Sequence, residues 1–204
     1  GIKRKSRTTD DLSVLSALKS IDTISRADVV TLVLDASRSI SNQDVKVASY
    51  AHKAAKGVMV CVNKWDLVEK DNHTASLFER TLRESFAFLA YAPVVFVSAL
   101  SAQRVSRVFP LAWRIKEARE KRVATSEVNR FFEENTSRYP APSYGGGNGK
   151  IYYATQIEVA PPTFSLSVNQ RAYFSRSYLR FLNNRLRERY GFEGTLIRIR
   201  LREH

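Results

Sequence analysis

Three apolar runs, each handing over to a polar loop, constrain this chain more than anything else in it. Ala27 to Ala36 reads ADVVTLVLDA, Gly57 to Val62 reads GVMVCV and Pro93 to Val97 reads PVVFV. Apolar residues without alternation mark strands covered on both faces, the condition of a parallel sheet between two layers of helices. Helical periodicity fills the intervals. Ser41 to Ala55 opens on Ser41 with Asp44 three residues on, a capping pattern. Phe78, Leu82, Phe86 and Leu89 share one helical face, and Val105, Val108, Ala112 and Ile115 another. Val14, Leu15, Leu18 and Ile21 predict a helix ahead of the first run. The alternation predicts an α/β fold with helices on both faces of a parallel sheet up to about residue 120. In such sheets ligands bind at the carboxyl ends of the strands.

The pattern then changes. Val128, Phe131 and Phe132 mark a helix over residues 123–137, and a Pro/Gly-rich connector holds Pro140, Pro142 and Gly145 to Gly149 around Asn148. Ile151 to Val159 predicts a strand with Ile151, Tyr153, Ile157 and Val159 inward. Thr163 to Asn169 predicts another with Phe164, Leu166 and Val168 inward. Leu179, Leu182, Leu186 and Tyr190 mark the last helix, which Gly191 stops. Ile197, Ile199 and Leu201 alternate with Arg198, Arg200 and Arg202 in a closing strand. The order α-β-β-α-β predicts a small α+β domain, dividing the chain into residues 1–121 and 122–204.

Charge enters here. The formal net charge is +13, from 33 Lys and Arg against 20 Asp and Glu, which favours a polyanionic partner. Arg171 to Arg202 holds nine arginines and two glutamates. The longest apolar runs are too short to span a bilayer, and the basic start, Gly1 to Lys5, leads into no signal-peptide core. The single cysteine, Cys61, lies within an apolar run and is expected as a reduced core thiol of a cytoplasmic protein. Trp65 and Trp113 are expected to pack rather than to touch a ligand.

The sharpest motif is Asn63-Lys64-Trp65-Asp66, directly after the second run. Guanine offers two donors on one edge, N1–H and the exocyclic amine, and one carboxylate can accept both. Adenine offers no such pair, and a site built on such bonds can discriminate by roughly 10⁴ or more. Asp66 suits that role. Asn63 would tie the neighbouring loops together, and the Lys64 stem would lie over the base. Ser98-Ala99-Leu100 follows the third run, where a backbone N–H can meet the guanine oxygen. The bland reading is a polar turn after each strand; two motifs in this order at successive strand ends weigh against it.

These segments resemble the second GTPase domain and the C-terminal KH-like domain of the Der (EngA) family of bacterial ribosome-assembly GTPases. RADVVTLVLDA, NKWDLVEK and SALSAQRV look like the former, and GKIYYATQ, PPTFSLSVN and RYGFEGTLIRIRLRE like the latter. The resemblance covers essentially the whole chain. It implies a P-loop GTPase-type sheet, guanine reading by Asn63, Lys64 and Asp66 with Ser98 and Ala99, and Gly1 as the glycine that meets the γ-phosphate. It also implies GTP or GDP with Mg²⁺, and a monovalent cation to help orient water, since Ile2 follows Gly1 where many GTPases place glutamine. No G-x-x-x-x-G-K-[ST] occurs in these 204 residues, so this polypeptide alone is expected to be inactive, with no catalytic residue assignable.

Implied partners are ribosomal RNA and the large ribosomal subunit, with no membrane or DNA partner and a monomeric state. KH domains usually clamp RNA with a G-x-x-G loop between two helices. Here Gly191-Phe192-Glu193-Gly194 spells it before the last strand, where a helix stop and tight turn is the better reading. RNA contact would therefore rest on Arg171, Arg176, Arg180, Arg198, Arg200 and Arg202, with Lys3, Arg4 and Lys5 as a basic switch segment. The alternative is an RNA-binding module whose GTPase-like half is an inactive scaffold.

Overall fold

The computed structural model describes residues 21–69, 71, 73–143 and 147–204. Gly1, Lys3, Arg4, Lys5, the helix expected at Val14, Leu15 and Leu18, and two loop glycines, Gly145 and Gly146, lie outside these. Helix α1 (residues 21–26) leads into strand β1 (Val29–Asp35). β1, β2 (Gly57–Asn63) and β3 (Val94–Phe96) form a parallel sheet in that order. The central strand is covered on both faces as its apolar run predicts, whereas β1 at the edge of the described sheet is not: Val33 is 59 % exposed. Val58, Val60 and Val62 pack with Ala48 and Ala51 of α2 (Asn42–Lys53) and Leu82 of α3 (Thr74–Ser85). Met59 and Cys61 point the other way, against Leu111 and Ile115 of α4 (Val108–Glu120). Cys61 is unbridged and buried, and burial pushes its thiol pKa up. Helix α2 carries the expected cap: Ser41 Oγ accepts from the Asp44 N–H at 3.2 Å, and Asp44 Oδ2 accepts from the Ser41 N–H at 2.8 Å.

The remainder runs α5 (Thr125–Arg138), β4 (Ile151–Glu158), β5 (Thr163–Val168), α6 (Arg176–Tyr190) and β6 (Arg198–Glu203). This is the expected α-β-β-α-β order. β4 pairs antiparallel and β6 parallel to the central β5. Both helices cover one face, where Phe132 and Leu182 meet Phe164, Leu166 and Val168.

Two further expectations about side chains fail. On β4 the buried residues are Ala154 and Gln156, while Tyr153 is 51 % and Val159 37 % exposed. Register shifts between Ile151 and Tyr153, and between Gln156 and Glu158, reset the alternation, since one extra residue swaps every later side chain to the other face. Gln156 is tolerated inside because its Oε1 accepts from the Val123 N–H at 2.8 Å and its amide donates to the Lys121 carbonyl at 2.9 Å. Trp113 does not pack: it lies 62 % exposed on α4, and its Nε1 donates to Glu117 one turn on at 3.0 Å. Trp65 is buried as expected.

The two sheets meet through a glycine turn. Gly191 ends α6 at φ 68°, in the left-handed region that favours glycine. Gly194 follows at φ 67°; its carbonyl accepts from the Val58 N–H at 2.7 Å and its N–H donates to the Tyr91 carbonyl at 3.1 Å. A Cβ at Gly194 would stand 2.5 Å from Ile115 Cγ1. Beside this turn the buried Arg119 donates to the carbonyls of Ala55 at 2.6 Å and Ala160 at 3.3 Å. The Arg187 guanidinium lies 5.2 Å from the centre of the Tyr91 ring. The second sheet thus docks at the amino end of β2. At roughly 3.3 Å per residue, the seven-residue strand puts that contact about 20 Å from its polar carboxyl end.

Candidate functional site

Parallel register sets Asp35, at the end of β1, opposite Asn63, at the end of β2, and the Ala36 N–H donates to the Asn63 carbonyl at 2.8 Å. The chain then turns sharply. Lys64 takes the left-handed conformation (φ 60°, ψ 33°), and Trp65–Leu67 form a single 3₁₀ turn. A side chain in that conformation costs about 1–2 kcal/mol, so the surroundings must enforce it. They do so from two sides. The Trp65 N–H donates to the Val97 carbonyl at 3.0 Å, and its buried ring lies 4.3 Å from Phe96 and 5.8 Å from Phe78. Lys64 Nζ meets Asp35 Oδ2 at 2.7 Å.

The loop after β3 is tied to the same place. Asn63 Oδ1 accepts from the Ala99 N–H at 3.0 Å. Ser98 is fully buried; its Oγ accepts from the Ser101 N–H at 3.2 Å and its own N–H donates to the Gln103 carbonyl at 3.1 Å. Asn63, Lys64, Ser98 and Ala99 therefore converge on one rim, with Asp66 exposed in the 3₁₀ turn beside them.

Sequence reasoning missed Asp35 as a member of this group. Its carboxylate accepts from Lys64 and, through Oδ1, from the Ser37 N–H at 3.0 Å and Ser37 Oγ at 2.7 Å. Lys64, followed by Ser37, holds the carboxyl well below the usual carboxylate range. A depressed pKa contributes stability above the unfolded value, about 4, and loses it as pH falls through the folded value. Asp35→Asn should therefore flatten the loss of stability on acidification, read from unfolding curves across an acidic pH series. Parallel losses in the variant and the wild type would show that this carboxylate contributes none of it. The available signal was the aspartate closing the first apolar run, but its role needs the β1–β2 register.

The arginines do not form one patch. Period-two alternation puts Arg198, Arg200 and Arg202 on the face of the second sheet opposite α5 and α6. Arg198 is half-buried, Arg200 pairs with Glu158 Oε1 at 2.9 Å, and Arg202 is exposed. Arg176 and Arg180 are exposed one turn apart at the start of α6, on the other side. Arg171 is exposed ahead of α6, its backbone N–H donating to Glu203 Oε1 at 2.8 Å. Arg187 is committed to the contact with Tyr91 and to the Phe192 carbonyl. Among the described residues no cluster of three or more His, Cys, Asp or Glu could hold a metal ion, and no helix is long and apolar enough to cross a membrane.

Comparison with known proteins adds two family matches. Residues 19–138 match the elongation factor Tu GTP binding domain, and residues 122–202 match the KH-domain-like C-terminal domain of EngA bacterial GTPase enzymes. GTPase Der of Alkaliphilus oremlandii (strain OhILAs) is 42 % identical over 203 residues, all of this chain and 46 % of that protein. GTPase Der of Geobacillus sp. (strain WCH70) is 46 % identical over 192 residues, 94 % of this chain and 43 % of that protein. The chain thus spans less than half the length of these curated relatives. Among solved structures, Aquifex aeolicus Era bound to GDP.AlF4- aligns with a TM-score of 0.41 at 13 % identity, covering 90 % of this chain and 68 % of Era. A probable GTP-binding protein engB aligns with a TM-score of 0.41 at 18 % identity, covering 56 % and 68 %.

Proposed function

The chain belongs to the family of GTP-binding domains typified by elongation factor Tu, in the Der (EngA) line of bacterial GTPases, and on that premise we propose that it reads guanine at the carboxyl ends of β2 and β3. The observation that carries this reading is the bond between Asn63 Oδ1 and the Ala99 N–H, which draws the two loops onto one rim. Asp66 accepts the N1–H and amine of the base, Lys64 lays its stem along the base plane while Asp35 holds its ammonium, and Ser98 and Ala99 support the loop that meets the guanine oxygen. Gly1 is the phosphate-side residue. The ligand is GTP or GDP; Mg²⁺ and a monovalent cation belong to the phosphate end, and no cluster among the described residues fits a metal. The described residues bind and orient the base.

Residues 1–121 form the GTPase part and residues 122–204 an RNA-contacting KH-like part. The protein hydrolyses GTP in the cytoplasm as a monomer, docking on ribosomal RNA during assembly of the large subunit and leaving after hydrolysis. Lys3, Arg4 and Lys5 link nucleotide state to docking, since γ-phosphate contacts order such segments. The arginines of the second part supply phosphate contacts, which hold RNA without reading its sequence. In the intact protein, affinity for ribosomal RNA should differ between GTP and GDP and fall steeply with salt, measured by filter binding across a salt series. RNA affinity that ignores nucleotide would instead favour an RNA-binding module with an inactive GTPase-like scaffold.

A further inference from the structure

The bulge at the start of β4 turns outward an aromatic side chain that the sequence pattern assigns to the core, and it changes what the open face of the second sheet offers. Tyr153 stands opposite Ser167 across β4 and β5, and Ser167 stands opposite Arg202 across β5 and β6. The next row is Thr155, Ser165 and Arg200. Each row ends in an arginine and has only a serine at its centre. Strands lie about 4.8 Å apart, so Tyr153 and Arg202 are separated by about 10 Å of sheet with no bulky side chain between them. Arg200 and Arg202 alternate along one strand at roughly 6.6 Å, comparable to successive phosphates of an extended single strand. Tyr152 is 55 % exposed and meets the ring of His204 edge-on, with centroids 5.6 Å apart. Arg202 has no carboxylate within ion-pair distance among the described residues.

Exposed rings beside arginines on a sheet, Arg202 without an ion-pair partner and Arg200 shared with Glu158, are the elements of a single-strand platform: rings stack on bases, arginines meet phosphates. A duplex keeps its base faces stacked internally and presents none to a tyrosine. Ser165 is buried, but the partly exposed Ser167 hydroxyl can pair with a ribose 2′-hydroxyl, which favours RNA over DNA. We infer that the outer face of β4, β5 and β6 is a platform for single-stranded RNA, with a base on Tyr153, the ribose over Ser167 and phosphates on Arg202 and Arg200. Tyr152 and His204 extend the stacking surface past the strand ends. This rests on the RNA reading above and says which strand form is held, and where.

The test is fluorescence anisotropy of the purified protein with a labelled single-stranded oligouridylate. Tyr153→Ala is expected to weaken binding about tenfold, within the range for loss of one stacked base, without changing the salt slope. Tyr153→Phe should bind like the wild type. Tyr153→Leu, which fills the position without a π-face, should behave like the alanine variant, separating stacking from folding; thermal melts of all three confirm that they fold. Arg202→Ala should weaken binding and reduce the salt slope by about 0.7. Wild-type affinity in Tyr153→Ala and Tyr153→Leu, with binding still lost in Arg202→Ala, would overturn the platform while leaving the RNA reading intact. Equal affinity for a duplex would overturn it too, as would a Tyr153 effect confined to self-association. Absence of any RNA binding at low salt would remove both proposals.

Discussion

Asp66→Ala should abolish the preference of the intact protein for GDP over ADP. A hydrogen bond to a charged group contributes about 1.5–3 kcal/mol. Losing the two that Asp66 is proposed to make to the base therefore weakens GDP binding by roughly 10²–10⁴-fold. ADP, which offers no donor pair to that carboxylate, should change little or bind slightly better. The check is competitive titration of both nucleotides against wild type and variant. Asp66→Asn is the sharper comparison, because it keeps the shape and removes the double acceptor. Retained GDP preference in both variants would move base recognition elsewhere. The loop keeps three anchors in both variants, namely Trp65, the Asp35–Lys64 contact and the Asn63–Ala99 bond.

Gly194→Ala should lower the melting temperature by about 5–15 °C. Two costs combine. A side chain at φ 67° is strained by about 1–2 kcal/mol. Its Cβ would also stand 2.5 Å from Ile115 Cγ1 and 2.7 Å from Cδ1, and overpacking of a buried contact typically costs about 1–3 kcal/mol. Each kcal/mol shifts the midpoint of a chain this size by about 2–4 °C. Gly191→Ala is the control, because it shares the left-handed backbone but a Cβ there meets nothing within 4 Å; it should show the strain without the clash. Equal shifts in the two variants would mean that Ile115 yields freely. The measurement is a pair of calorimetric scans.

Much of the fold could be read from the residue order because several independent signals agreed. Unbroken apolar runs required two-sided burial, and β2 shows it, with Val58, Val60 and Val62 on one side and Met59 and Cys61 on the other. Ser41 with Asp44, and Gly191 after Tyr190, marked helix ends through local chemistry that needs no tertiary context. The β4 faces were not legible. A bulge adds one residue to one strand, and nothing in IYYATQIE says which residue goes unpaired until β5 lies alongside. Trp113 was misjudged because a large ring suggests burial, whereas Glu117 and Lys116 one turn or less away give it partners at the surface. In the candidate site the two loops could be named from sequence, but Asp35 could not be joined to them. Its hold on Lys64 depends on parallel register, a property of strand pairing.

The fully enclosed strand β2 carries a mechanical consequence. Five of its apolar side chains are locked into two separate cores, so it cannot shift sideways without opening one of them. One end fixes the loop of Asn63 and Lys64; the other accepts the Gly194 turn through the Val58 N–H. The strand therefore works as a strut, tying the placement of the second sheet to that of the Asn63–Lys64 rim.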